Sequence, residues 1–256
     1  MASSLLHGAS SPDQAVSPSP GTGAAVALHG CTSCLVKQLA VCAALPVDRI
    51  GDVEALAGEV RLQAGQMLAR EGDVRRYMFT VTCGALRRIR MLPDGRRLVA
   101  GFLMPGDFIG FSGASHYRHS IEAISDSVLC SFAHADMREL CERHPGLEHE
   151  LLERACVELD ATRNNLMALA RMTPRERLAG FLLDMAARRQ RQGIGGNRLV
   201  LPMTRADIAD YLGLTVETVS RSFTRLRHDG MIASNDPHHI ELLDPERLRA
   251  LAEARA

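Results

Sequence analysis

Between Val60 and Phe132 the chain runs in short apolar segments separated by Gly65, Gly72, Gly84, Gly95, Gly106, Gly110 and Gly113. Segments such as Tyr77-Met78-Phe79-Thr80-Val81-Thr82 and Leu98-Val99-Ala100-Gly101-Phe102-Leu103 have the length of strands. Pro93-Asp94-Gly95 is a turn signal between two of them. Many short strands at regular spacing predict a compact all-β sandwich or barrel over residues 47–146. The period then changes. Residues 147–171 hold neither Gly nor Pro, and Leu152, Leu159 and Leu166 recur every seven positions. With Ala155, Thr162 and Leu169 three positions further on, they form an a/d pattern over three heptads. That pattern predicts one long helix over 147–172, paired with a copy of itself as a homodimer. A helix packed on its own domain is the competing reading. Glu153, Arg154, Asp160 and Arg163 fall on the flanks and are expected in solvent.

Thr173-Pro174-Arg175-Glu176 reads as the start of a further helix, with Thr at the N-cap, Pro at the first helical position and Glu at the third. Leu178, Phe181, Leu182 and Met185 give that helix an apolar face, and Gly193 to Gly196 end it. Within 173–256, Thr204 caps a short helix with Ile208, Ala209 and Leu212 inward, and Gly213 supplies a tight turn. Thr215 caps a second helix with Val219, Phe223 and Leu226 inward. Residues 231–233 and 239–242, around Asn235-Asp236-Pro237, then make a hairpin wing. Helix, glycine turn, helix and wing in that order predict a winged helix-turn-helix, and hence double-stranded DNA as partner.

The outward residues near the start of the second helix are Val216, Glu217, Ser220 and Arg221. Arg bonds guanine O6 and N7 bidentately, Glu accepts from cytosine N4, and a Val or Thr methyl packs on a thymine methyl. Arg225 and Arg227 suit phosphate contacts. Thr204, Thr215, Thr218 and Arg225 complete the expected DNA-facing set.

Charge and composition refine this picture. Thirty basic residues balance thirty acidic ones, which excludes a generally basic nucleic-acid coat but allows a local basic surface. An apolar content of 46% excludes wholesale disorder. No apolar run is long enough to span a bilayer, and no secretory signal is visible, so no membrane association and a cytoplasmic location are expected. Residues 1–27, rich in Ser, Pro, Gly and Ala, predict a disordered leader. Residues 28–46 then hold Cys31, Cys34 and Cys42, three of seven cysteines. An odd, uneven set without a secretion signal points to thiol or metal chemistry rather than a disulfide framework. Val128, Cys130 and Phe132 alternate onto one strand face, so Cys130 is able to aim at a shielded site. Zinc held by the trio with His29 is one candidate. Haem and direct thiol redox are others. Cys83, Cys141 and Cys156 read as structural.

A glycine-punctuated β-roll, a long helix and a winged helix-turn-helix, in that order from His29 onward, resemble the CRP/FNR family of bacterial transcription regulators. The resemblance implies an α+β chain with a cyclic-nucleotide-binding-like β-roll, a dimerisation helix and no enzymatic activity. Glu217-x-x-Ser220-Arg221 resembles the recognition signature of the FNR branch, which implies a TTGAT half-site in an inverted repeat. The cyclic-AMP branch has arginine where this chain has Val216. Cyclic-nucleotide members hold ribose with a glutamate after the cassette glycine and phosphate with an arginine. Here Phe111 follows Gly106-Asp107-Phe108-Ile109-Gly110 and the nearby arginine is Arg118, so no cyclic nucleotide is expected. The Cys31-x2-Cys34-x7-Cys42 spacing resembles FnrN- and FixK-like members, which implies a [4Fe–4S] cluster. Such a cluster takes four thiolates, and Cys130 matches the family's fourth ligand by position. By the same resemblance, the intact cluster favours the dimer, oxygen dismantles it and releases DNA, and RNA polymerase is a partner that touches the Pro93-Asp94-Gly95 turn.

Overall fold

A computed structural model of the chain describes residues 31, 34–112 and 114–253; the leader expected over 1–27 and His29 lie outside the described residues. After a short helix α1 (Ile50–Glu54) come β1 (Gly58–Leu62), β2 (Met67–Ala69), β3 (Tyr77–Cys83), β4 (Leu86–Met91), β5 (Arg97–Leu103), β6 (Phe108–Ile109), β7 (Ser120–Ala123) and β8 (Ser127–Ala133). They form two four-stranded antiparallel sheets, ordered β1-β8-β3-β6 and β2-β7-β4-β5. Val60, Phe79, Val81 and Leu129 of the first sheet meet Leu86, Leu103, Ile121 and Ala123 of the second in a dry interior. Strand alternation makes this possible: one residue in two faces inward. The turn at Pro93-Asp94-Gly95 joins β4 to β5, and Gly95 takes φ +84°, where a side chain would be strained.

Both outer faces of the sandwich are covered as well. Phe108 and Phe132, on the far side of the first sheet, pack with Val41, Leu45, Ile50 and Val53 from the cysteine-rich end, and with Met137, Leu140 and Leu147. The last three belong to α2 (His134–Arg143) and α3 (Pro145–Arg171). Ile89, Val99 and Phe102, on the far side of the second sheet, join the core of the C-terminal domain. One sandwich therefore carries the cysteines on one face and the helix-turn-helix on the other.

The C-terminal domain comprises α4 (Pro174–Arg191), β9 (Arg198–Val200), α5 (Arg205–Leu212), α6 (Val216–His228), β10 (Ile232–Ser234), β11 (His239–Leu242) and α7 (Pro245–Glu253). The capping box at Thr173 is present, with Glu176 bonded back to the Thr173 N–H at 2.7 Å. Gly213 ends α5 in the left-handed region at φ +64°, which turns the chain into α6. The wing is a three-stranded sheet, β10-β11-β9, rather than the expected hairpin alone.

Helix α3 is the predicted long helix and begins at Pro145, whose missing N–H is harmless in a first turn. Leu152, Leu159 and Leu166 lie 61%, 49% and 67% exposed along it. Cys156 and Met167 are exposed on the same side, and Thr162 donates back to the Glu158 carbonyl. Leu169 departs from this row. It is half-buried against the turn at Gly213, and its carbonyl accepts from Arg177 at 2.9 Å. Arg154 corrects the expectation of a solvated flank: its guanidinium donates to the carbonyls of Leu39 and Ala40 and to Glu150.

Candidate DNA-reading surface and cysteine site

Helix α6 is sharply amphipathic. Val219, Ser222, Phe223 and Leu226 are buried, while Val216, Glu217, Ser220, Arg221 and Arg225 are exposed on the opposite side. Glu217, Ser220, Arg221, Thr224, Arg225 and His228 line one shallow surface depression. Thr224 and His228 were missed in the sequence, although the same three- and four-residue spacing extends to them. Arg221 Nη1 lies 3.6 Å from Glu217 Oε1, an exposed pair that is free to open toward a base pair. Ser220 is back-bonded to the Val216 carbonyl at 2.9 Å.

Two of the sequence candidates, Thr204 and Thr215, are occupied as helix caps, and a third, Thr218, is engaged by one of them. Thr215 Oγ1 accepts from the Thr218 N–H at 3.2 Å and shares a hydrogen bond with the Thr218 hydroxyl. Thr204 Oγ1 accepts from the Asp207 N–H and lies 2.8 Å from its carboxylate. Their first role is to fix the two helix starts. Asp207 reaches further. Fully buried, it also receives Arg87 and Arg97 of the second sheet, and Arg97 continues to Asp210. Burial pushes its carboxyl up, but Thr204 and the two arginines outweigh that and hold it below the usual carboxylate range. This ionic knot ties α5 to the sandwich, and nothing in the local sequence announces it.

The loop after β6 differs from expectation in its arginine. Arg75, not Arg118, is the arginine bound there, and it donates to the carbonyls of Gly110, Ser112 and Ala114. Phe111 stacks beside Phe108 with ring centres 4.8 Å apart. Gly106, at φ +96°, admits Leu39, which would lie 2.7 Å from any Cβ placed there. That close approach seats the cysteine-rich segment on the sandwich.

All seven cysteines are unpaired by disulfides. Cys31, Cys42, Cys130 and Cys141 pack against the outer apolar cluster, whereas Cys83 and Cys156 are exposed. Burial pushes the Cys130 thiol up to about 12, reinforced by charge on Cys31, Cys34 and Cys42 and then on Glu59. Burial likewise lifts Cys42 to about 11, with Cys34 and Cys31 adding to it. Cys31 is raised by burial, then by Glu54 and Cys34. Cys141 is raised by burial and by Glu148, with no contribution from the trio. Cys130 thus shares an electrostatic neighbourhood with the N-terminal three, and Cys141 does not. Among the described residues, no three His, Cys, Asp or Glu side chains converge on the position of one metal ion.

Residues 59–144 match the Cyclic nucleotide-binding domain and residues 176–251 the Crp-like helix-turn-helix domain. The Nitrogen fixation regulation protein FixK of Bradyrhizobium diazoefficiens is 38% identical over 226 residues, covering 88% of this chain and 95% of the relative. The Transcriptional activator protein FnrL of Cereibacter sphaeroides is 35% identical, covering 86% and 91%. The solved structure of FixK2 from Bradyrhizobium japonicum superposes with a TM-score of 0.73 at 32% identity, over 78% of this chain and 99% of that one. These relatives are regulators, not enzymes, and no described helix is long and apolar enough to cross a membrane. By its two domains, their order and these relatives, the chain belongs to the CRP/FNR family of transcription regulators, in its FNR branch.

Proposed function

We propose that the chain is an oxygen-responsive regulator of anaerobic and microaerobic genes that reads TTGAT-type inverted repeats as a homodimer while it carries a [4Fe–4S] cluster. The observation that carries this reading is that Cys31, Cys42 and Cys130 pack against one apolar cluster on the outer face of the first sheet, with Cys34 near enough for its charge to act on Cys130. A [4Fe–4S] cube takes four thiolates, and Cys31, Cys34, Cys42 and Cys130 supply that number. A tetrahedral zinc at about 2.3 Å from each sulfur needs its thiolates roughly 3.8 Å apart, whereas a cube puts each thiolate on its own iron.

Cys31, Cys34, Cys42 and Cys130 would hold the cluster, which would supply an oxygen-labile cross-link between the N-terminal segment and the sheet. The chain itself provides the route onward. Cys34 and Cys42 flank Leu39 and Ala40, whose carbonyls Arg154 holds from α3. Movement of that segment therefore pulls on the helix that carries Leu152, Leu159 and Leu166. We assign this apolar row to the dimer seam, with Thr162 loosening it; Leu169, half-buried against the turn at Gly213, lies beyond the row. The exposed Pro93-Asp94-Gly95 turn is the surface we assign to RNA polymerase. Glu217, Ser220 and Arg221 read bases, with Val216 beside them; Arg225 holds phosphate; Thr204, Thr215 and Thr218 set the helix starts against the backbone. With Arg75 spent on carbonyls and Phe111 in place of a carboxylate, the β-roll serves as a scaffold rather than a nucleotide receptor.

Replacing Cys31, Cys34, Cys42 or Cys130 singly by Ser is expected to remove most visible absorbance and acid-labile sulfide from anaerobically purified protein. Replacing Cys83, Cys141 or Cys156 is expected to leave both in place. A full cluster in Cys130→Ser together with its loss in Cys141→Ser moves the fourth ligand to α2.

A further inference from the structure

The winged helix-turn-helix is joined covalently to α3 through Met172 and Thr173, both in extended backbone. A link that short and extended leaves a domain free to swing unless other contacts hold it. Here they do. Phe102 of β5 has its ring centre 6.0 Å from that of Phe181 in α4 and 5.3 Å from that of Tyr211 in α5. Beside this apolar hub, Asp207 divides its carboxylate between the two domains. Its Oδ2 accepts from the N–H and the hydroxyl of Thr204, at 3.0 and 2.8 Å, within its own helix start. Its Oδ1 accepts from Arg87 of β4 and, at 2.8 Å, from Arg97 of β5. Arg97 forks onward to Asp210, with Nε and Nη2 at 3.0 and 2.8 Å. At the other end of α4, Arg188 donates to Asp107 at 2.8 Å and Gln192 to the Pro105 carbonyl at 3.0 Å. Well-packed apolar side chains would join the same two faces without the cost of dehydrating these charges. What forked, directional pairs add is a fixed orientation.

We propose that the knot of Arg87, Asp207, Arg97 and Asp210 sets the angle at which each protomer presents α6, and so makes the dimer selective for the spacing between half-sites. Arg97 and Asp210 are then positioning residues that touch no DNA. The inference rests on the reading of inverted repeats by a homodimer given above, whatever group occupies the cysteine site. Helix α6 follows α5 as one body, because Ile208, Leu212, Val219 and Phe223 share one core. Each base pair added between half-sites moves them apart by about 3.4 Å and turns one against the other by about 35°. A reading domain locked to the sandwich cannot follow that turn. One held by its extended link alone can.

Arg97→Gln removes the charged fork on the sandwich side, and Asp210→Asn removes the charge it grips on the α5 side; in both, Arg87 still covers Asp207. Anaerobically purified full-length proteins are titrated with TTGAT palindromes whose spacers differ by single base pairs, and with a duplex carrying one half-site. Wild type is expected to prefer one spacer over its neighbours by about tenfold or more, since a misplaced half-site forfeits its base contacts. Each variant is expected to narrow that preference to about threefold or less and to keep the wild-type affinity for the single half-site. A merely structural role would instead move all these affinities together. A spacer preference unchanged in both variants overturns the assignment, as does a wild type indifferent to spacer. Tighter binding by the variants at the preferred spacer overturns it too, because the knot would then hold an inactive arrangement. Loss of single half-site binding in both variants does the same, since the knot would then serve only the fold of the reading domain. Wild type that binds no TTGAT palindrome overturns the reading of inverted repeats and this inference together.

Discussion

Arg221→Ala is expected to weaken binding to a TTGAT palindrome by about 2–6 kcal/mol, because a good base contact is worth about 1–3 kcal/mol and a dimer makes it twice. The fold should not register the change. Arg221 is 71% exposed, and its pair with Glu217 is a surface i,i+4 contact of the kind that contributes little. The loss should be specific to sequence: Arg221 faces the guanine of TTGAT and Glu217 the cytosine opposite it. Arg225→Ala is the contrasting control. Arg225 lies a turn further along the same stripe, 3.7 Å from Asp229, and is assigned to phosphate. Its loss should weaken all sequences alike and flatten the salt dependence. Val216→Arg should move preference toward GTGA-type half-sites, since a bidentate donor then replaces a methyl surface. Anaerobic titrations on TTGAT and GTGA palindromes at two salt concentrations separate these outcomes. Equal wild-type affinity for the two palindromes would contradict the assignment of this helix.

Leu159→Asp is expected to yield a monomer even under anaerobic conditions. Leu159 sits near the middle of α3 and is 49% exposed, between Leu152 and Leu166 on one stripe. Burying a leucine contributes roughly 1.5–3 kcal/mol, so the two copies in a symmetric seam account for about 3–6 kcal/mol, or two to four decades in the dimer constant. A carboxylate in that place adds a desolvation cost and like-charge repulsion across the two-fold axis. Because Leu159 is outside the buried clusters of the chain, the monomer should keep its fold. Sedimentation of the variant under anaerobic conditions reads the outcome directly. A persistent dimer removes this helix from the interface.

The elements most legible in the sequence are those whose signal is local. Gly95, Gly106 and Gly213 mark turns because their positive φ is a backbone demand of a few residues. The heptad leucines mark α3 by period, and the Thr caps at 173, 204 and 215 mark helix starts by spacing. What escaped depends on partners distant in the chain. Asp207 reads as an ordinary third-position acid, yet it is the buried centre of a knot with Arg87 and Arg97, more than a hundred residues earlier. Arg154 looks like a solvated flank until Leu39 and Ala40 arrive beside it. Leu169 fits the heptad, but the turn at Gly213 claims it, because the end of the helix serves two neighbours. Arg75 precedes its loop by 35 residues or more, so no motif window contains both. For the cysteines, spacing picked out the trio, and only the pairing of β8 between β1 and β3 places Cys130 on an inner strand of the first sheet.

The central claim is that the cysteine site governs DNA binding through an oxygen-labile cluster. It is tested most directly by purifying the wild-type protein without oxygen and measuring iron, acid-labile sulfide and affinity for a TTGAT palindrome, before and after exposure to air. The account predicts iron and sulfide in equal amounts at four per chain, as the formula of the cluster requires, with tight binding before exposure. After exposure, sulfide, dimer and binding should be lost together. Tight binding that persists in air after the sulfide has gone would contradict it.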